Sequence, residues 1–160
     1  MNTPVMERTL IDRLKAHDRS AVADLSTAYG SKIAQLALRY LRNREDAEEV
    51  AQDVLLKVYQ KIDAFRGDAA LSSWIYRITF NTVMSRLRDS KRALRDLPEL
   101  YRTPVVLRDI HGLTTEEASA VLRVNDQTLK SRLHRGRLIL RARLAEFAGG
   151  LALHPPASVH

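Results

Sequence analysis

The chain has 160 residues, enough for one ordinary domain or two small helical ones, and its 45% apolar content excludes a disordered polymer. No apolar stretch approaches the ~20 residues that span a bilayer, so direct membrane insertion is excluded too. The formal charge of +7 favours a polyanionic partner, and the absence of cysteine rules out disulfides and thiolate metal sites.

The opening segment MNTPVMERTLIDRLKAHD is charged throughout and lacks the apolar run of a secretory signal, which together with the missing cysteine suits a cytoplasmic protein. Charge is unevenly placed. EDAEEVAQD, Glu45 to Asp53, holds five acids and no base, whereas Arg123 to Arg143 holds seven bases and one acid, Asp126. One acidic helix and one basic helix in the same chain imply two different partners.

Nearly every ordered segment reads as helix, so the expected fold class is all-α. Leu25, Tyr29, Ile33, Leu36, Ala37, Tyr40 and Leu41 recur at three- and four-residue steps and line one face. Ala47, Val50, Ala51, Val54, Leu55, Val58, Tyr59 and Ile62 repeat the pattern and leave Glu45, Asp46, Glu49, Gln52 and Asp53 largely on the other side. Gly67-Asp68 signals a loop, and SSWIYRITFNTVMSRLR forms the next helix with Ser72 or Ser73 as its N-cap. The polar run DSKRALRD, residues 89–96, is the one plausible boundary between two lobes. Pro98 suits the first turn of the following helix, and Pro104 should kink or divide it. Gly112 ends that helix. The tail from residue 148 shows no periodicity and is expected to be disordered.

Thr114 and Glu117 form a capping box ahead of Ala118, Val121 and Leu122. The turn Arg123-Val124-Asn125 then leads into a long basic helix from about Asp126 to Phe147. A short capped helix, a tight turn and a basic helix make a helix-turn-helix, with Ala118, Leu122, Val124, Leu129 and Leu133 at the crossing. If Leu129 and Leu133 face inward, the 100° step puts Gln127, Lys130, Ser131, His134 and Arg135 outward, where they can donate to base edges and phosphates. A solvated basic face is the plainer reading of the charge alone; the cap, turn length and apolar spacing together favour DNA.

LPELYRTPVVLRDIHGLTTEEASAVLRVNDQTLKSRLHRGRLIL resembles the promoter-binding C-terminal region of extracytoplasmic-function (group IV) sigma factors of bacterial RNA polymerase. AEEVAQDVLLKVYQKIDAFRGDAALSSWIYRITFN resembles the polymerase- and promoter-binding N-terminal region of that family, and FRGDAALSSWIYRITFN is its more specific part. The resemblance implies two small helical domains: an N-terminal bundle, residues 1–88, and a helix-turn-helix domain, residues 97–147, joined by a linker, residues 89–96. It implies that Asp46, Glu49, Gln52 and Asp53 dock on the coiled coil of the polymerase's largest subunit. It implies that Asp63 to Arg88 melts the promoter and captures flipped bases. Phe65, Arg66, Trp74, Tyr76, Arg77, Phe80, Asn81 and Arg86 supply aromatic, polar and basic groups for this, with Phe65, Arg66, Trp74, Arg77, Asn81 and Arg86 expected in contact with DNA and the loop Asp63 to Leu71 expected to read a flipped base. Trp74 and Phe80 serve as readily as core. Gln127, Lys130, Ser131, Arg132, His134, Arg135 and Arg137 would bind the upstream promoter element, Gln127, Lys130, Ser131 and His134 reading bases and the arginines holding phosphates. An anti-sigma factor is a further implied partner.

Three features depart from the family pattern. Arg123 stands where a glycine commonly ends the first helix of the motif, so a strained turn is expected. Ser85 replaces an acid often found one turn beyond the asparagine. The linker is short: Asp89 to Leu94, fully extended, reach about 20 Å at ~3.3–3.6 Å per residue, so residues are expected to be missing between about Arg88 and Leu94. The rival to a sigma factor is a polymerase-independent helix-turn-helix regulator with a helical dimerisation domain, which has no need of the FRGDAALSSWIYRITFN loop. An enzyme is not expected: there is no metal set, phosphate-binding glycine loop or activated nucleophile, hence no cofactor and no catalytic residue.

Overall fold

The computed structural model describes residues 3–152 and the side chains of residues 5–147. The chain divides into two compact units, Met1–Leu87 and Arg88–His160. The described residues contain eight α-helices and no strand: α1 Thr3–Lys15, α2 Ala21–Leu25, α3 Ser31–Leu41, α4 Arg44–Lys61, α5 Leu71–Asp96, α6 Glu99–Val105, α7 Thr115–Leu122 and α8 Asp126–Ala152.

In the N-terminal unit α1 is a helix that the hydrophobic pattern did not announce. Its Leu10 and Leu14 are buried against Ala21 and Leu25 of α2, Ile33 and Ala37 of α3, and Val50, Val54 and Val58 of α4. A π-helical turn, Ser26–Gly30, carries α2 into α3. α3 ends on Arg42 in the left-handed region, and Asn43 accepts the Asp46 amide at 3.0 Å to cap α4, whose first turn carries Glu45 and Asp46 against the helix dipole. α5 opens at Leu71, one residue before the expected cap. Its inward face carries Leu71, Ile75 and Val83, with Thr79 and Thr82 between them satisfying their hydroxyls on the Ile75 and Ile78 carbonyls.

The segment read as an irregular linker, residues 89–96, is the end of α5. Its polar letters are helix-tolerant, and no proline or glycine interrupts until Pro98; Ala93 and Leu97, one turn apart, are buried. The expected disordered tail is helical at its start, because α8 continues to Ala152; residues 153–160 lie outside the described residues.

The C-terminal unit has its own small core of Leu97, Val105 and Leu133, flanked by Leu94, Tyr101, Ile139 and Leu140. Pro104 divides the helix as expected: α6 ends at Val105 and a π-helical turn, Val106–Ile110, follows. The capping box on α7 is complete, with the Glu117 amide donating to Thr114 Oγ1 at 3.1 Å and the Thr114 amide to Glu117 Oε2 at 2.8 Å. Arg123 closes α7 at φ 56° and ψ 44°, a left-handed cap that glycine adopts without a Cβ penalty. Arg123→Gly is therefore expected to stabilise this unit by about 0.5–1 kcal/mol, read as a higher midpoint in urea denaturation.

Candidate nucleic-acid interface

The basic helix is held as the motif requires. Leu129 and Leu133 of α8 are buried with Ala118 of α7, and Asn125 Oδ1 accepts the Thr128 amide at 2.7 Å to cap α8. Gln127, Lys130, Ser131, His134 and Arg135 are exposed, on the side opposite that core, and Arg132 is half-buried. These side chains form a row of donors on one rigid helix, the geometry that enters a major groove. Arg137 differs from the phosphate clamp expected of it. Its guanidinium makes two bonds to the Asp109 carboxylate, at 3.0 and 2.5 Å, and this partner holds its pKa above the ordinary value. That pairing with a residue 28 positions away carries no sequence signal.

In the N-terminal unit the loop Arg66–Ala70 is exposed, turning at Gly67 with φ 79°. Beyond it α5 presents Tyr76, Arg77, Phe80 and Asn81 outward at helical spacing, and Tyr40 of α3 meets Phe80 edge-on at 5.9 Å between centroids. Solvent-facing aromatics beside an arginine and an asparagine offer stacking surfaces and polar edges to unpaired bases. Tyr40 belongs to this surface in addition to the residues named from the sequence, Tyr76 and Phe80 among them. Phe65 does not. It is only 6% exposed and packs on half-buried Trp74 with ring centroids 5.2 Å apart, so it is core and unavailable to a base.

The four docking candidates of α4 divide into two groups. Gln52 is fully on the surface. Glu49 and Asp46 instead face α5, where Arg86 Nη2 lies 2.5 Å from Glu49 and 3.9 Å from Asp46. The Arg86 side chain is 18% exposed, so a residue read as a DNA contact is engaged within the protein. Asp53 sits half-buried on the same side; its pKa is pushed up by burial, against the pull of Arg86 and Lys57. Lys57 is pushed down, also by burial, and donates to Thr82 Oγ1 at 3.1 Å. Among the described residues no cluster of histidine, aspartate and glutamate could hold a metal, and no helix is long and apolar enough to cross a membrane.

Comparison with known proteins places both halves. Residues 25–93 match the family model for Sigma-70 region 2, and residues 87–140 match that for Sigma-70, region 4. The two matches overlap, leaving no residue between the regions. The chain is 33% identical to the ECF RNA polymerase sigma factor SigM of Mycobacterium tuberculosis, over 91% of this chain and 87% of that protein. It is 29% identical to the ECF RNA polymerase sigma factor SigW of Bacillus subtilis, over 89% of this chain and 98% of that one. That second alignment runs over 184 residues, more than this chain contains, so SigW carries residues with no counterpart here. Among solved structures, CnrH in complex with the cytosolic domain of CnrY is 26% identical over 88% of this chain and 97% of that one, with a TM-score of 0.45. With regions 2 and 4 in order and relatives matched over most of their length, the chain belongs to the extracytoplasmic-function family of RNA polymerase sigma factors.

Proposed function

We propose that this chain binds core RNA polymerase in the cytoplasm, directs it to specific promoters and opens the DNA there, without catalysing any reaction itself. In this reading the acidic helix α4 docks on the polymerase, the loop 66–70 and the outward face of α5 take the unpaired strand, and α8 reads the upstream element. An anti-sigma factor restrains the chain until it is needed.

One observation carries the proposal: the capped helix-turn-helix displays Gln127, Lys130, Ser131 and His134 in one exposed row, while a second unit displays aromatics beside an exposed loop that turns at the positive-φ Gly67. The direct test is to add the protein to core polymerase and map the transcription starts it produces. On the upstream element so defined, Gln127→Ala or Lys130→Ala is expected to cost roughly 1–3 kcal/mol of binding and little on scrambled duplex. Arg135→Ala should weaken both duplexes alike and flatten the salt dependence by about one phosphate contact. Equal losses on both duplexes for all these variants would make α8 an electrostatic clamp rather than a reader of sequence.

A further inference from the structure

The exposed loop Arg66–Ala70 is pinned on both flanks by side chains of one helix, α1. On the N-terminal flank, Lys15 Nζ donates to the Phe65 carbonyl at 3.0 Å, over a separation of 50 residues. On the C-terminal flank, the Leu71 amide, an orphan donor at the start of α5, donates to Glu7 Oε1 at 3.0 Å, over a separation of 64 residues. A third contact lies just upstream, where His17 Nε2 is 3.4 Å from Asp63, and the His17 carbonyl accepts Tyr59 Oη at 3.0 Å. Glu7 and Lys15 lie eight residues apart, about 12 Å along the helix at 1.5 Å per residue, and so bracket the loop. Between the two brackets the loop is exposed, and at Gly67 a Cβ would meet no atom within 4 Å beyond its chain neighbours.

We propose that Glu7 and Lys15 are positioning residues that hold the loop 66–70 in the shape that receives an unpaired promoter base. This rests on the reading above, in which that loop meets the melted strand. A five-residue exposed loop with a left-handed glycine samples many shapes, and ordering it at the moment of binding weakens both affinity and discrimination. Fixing its two ends on a helix removes part of that cost beforehand. Neither residue is needed to hold α1 itself in place, because Leu10 and Leu14 anchor it in the core. The carboxylate of Glu7 also suits the positive end of α5.

The test uses holoenzyme assembled from core polymerase and the full chain, challenged with a pool of single-stranded DNA randomised in sequence, and reads which bases are enriched. The parent should enrich a base at one or more positions. Lys15→Met and Glu7→Ala should flatten that preference at least tenfold at one position, while their affinity for core polymerase and their melting temperature stay close to the parent's. Lys15→Arg, which keeps the donor, should restore the preference. An unchanged enrichment profile in Lys15→Met and Glu7→Ala overturns the inference. So does a loss of base preference that merely parallels a loss of folding or polymerase binding, since the contacts are then structural. A parent holoenzyme that assembles but enriches nothing removes the strand-capture reading itself, and the inference with it.

Discussion

Gly136→Leu is expected to abolish binding to upstream promoter DNA while the N-terminal unit keeps its affinity for core polymerase. Gly136 lies buried on α8 where that helix crosses α6. A Cβ there would sit 2.7 Å from the Tyr101 carbonyl oxygen and 2.9 Å from Val105 Cγ2. The first of these atoms is backbone and cannot rotate away, so α6 and α8 would have to separate. Overpacking of this kind costs typically ~1–3 kcal/mol, against a gain of about 0.5–1 kcal/mol from removing a glycine inside a helix. Gly136→Ala should thus be mildly destabilising, and Gly136→Leu, with three further carbons to place, should exceed what the unit can bear. Its core is small, with only Leu97, Val105 and Leu133 buried among a few flanking residues. The recognition row stands on the same helix, so its position fails with the packing. The N-terminal unit has a separate core and should be unaffected. Chemical denaturation of the full chain and duplex binding by fluorescence anisotropy read the two consequences. A Gly136→Leu chain that binds upstream duplex like the parent would show that the α6–α8 contact does not position the recognition helix.

The parts of this molecule that were legible in its sequence are those whose physics is local. Thr114 and Glu117 are three residues apart and can cap one helix only by bonding each other's backbones, as they do. Leu129 and Leu133 share a face because of the helical repeat alone, and they are buried. The same holds for the apolar stripe of α4 from Ala47 to Val58. What depended on partners distant in sequence was not legible. Phe65 beside an arginine and a Gly-Asp loop looks like a base-stacking aromatic until Trp74 and the core close over it. Arg137 looks like a phosphate clamp until Asp109 occupies it. The N-terminal helix showed only its charges, since Leu10 and Leu14 gain meaning from the helices they meet. One misreading did have an available signal. Residues 89–96 read as a break on composition, although serine, lysine, arginine, alanine and leucine all continue a helix and no breaker intervenes.

Reversing Glu49 and Asp53 to lysine is expected to weaken core polymerase binding at least tenfold, but that result alone would not assign them to docking. Arg86 is mostly buried and leans on Glu49 and Asp46, so Glu49→Lys sets two cations against each other inside the unit. Removing a partner from a poorly solvated charge destabilises the fold for reasons unrelated to any polymerase. The charge swap Glu49→Arg with Arg86→Glu separates the two effects. It restores an internal pair of the same two chemistries while inverting what the surface offers to a basic partner, for the Glu49 side chain is 55% exposed. The swapped chain should melt closer to the parent's temperature than Glu49→Lys does, short of it because the new carboxylate also faces Asp46 and Asp53, and should still fail to bind core polymerase. Asp53→Asn gives an independent reading. Burial pushes the Asp53 carboxyl up, so folding favours its protonated form, and the stability this gives at low pH is lost as pH rises through the folded pKa. At neutral pH the charge is thus carried at a cost, and the neutral amide should leave the fold as stable as the parent or more so. If Asp53 meets the polymerase, the same substitution must weaken docking, and stability and binding will move in opposite directions. A swapped chain that binds core polymerase as the parent does, together with an Asp53→Asn chain that does the same, would confine these acids to bracing α4 against α5.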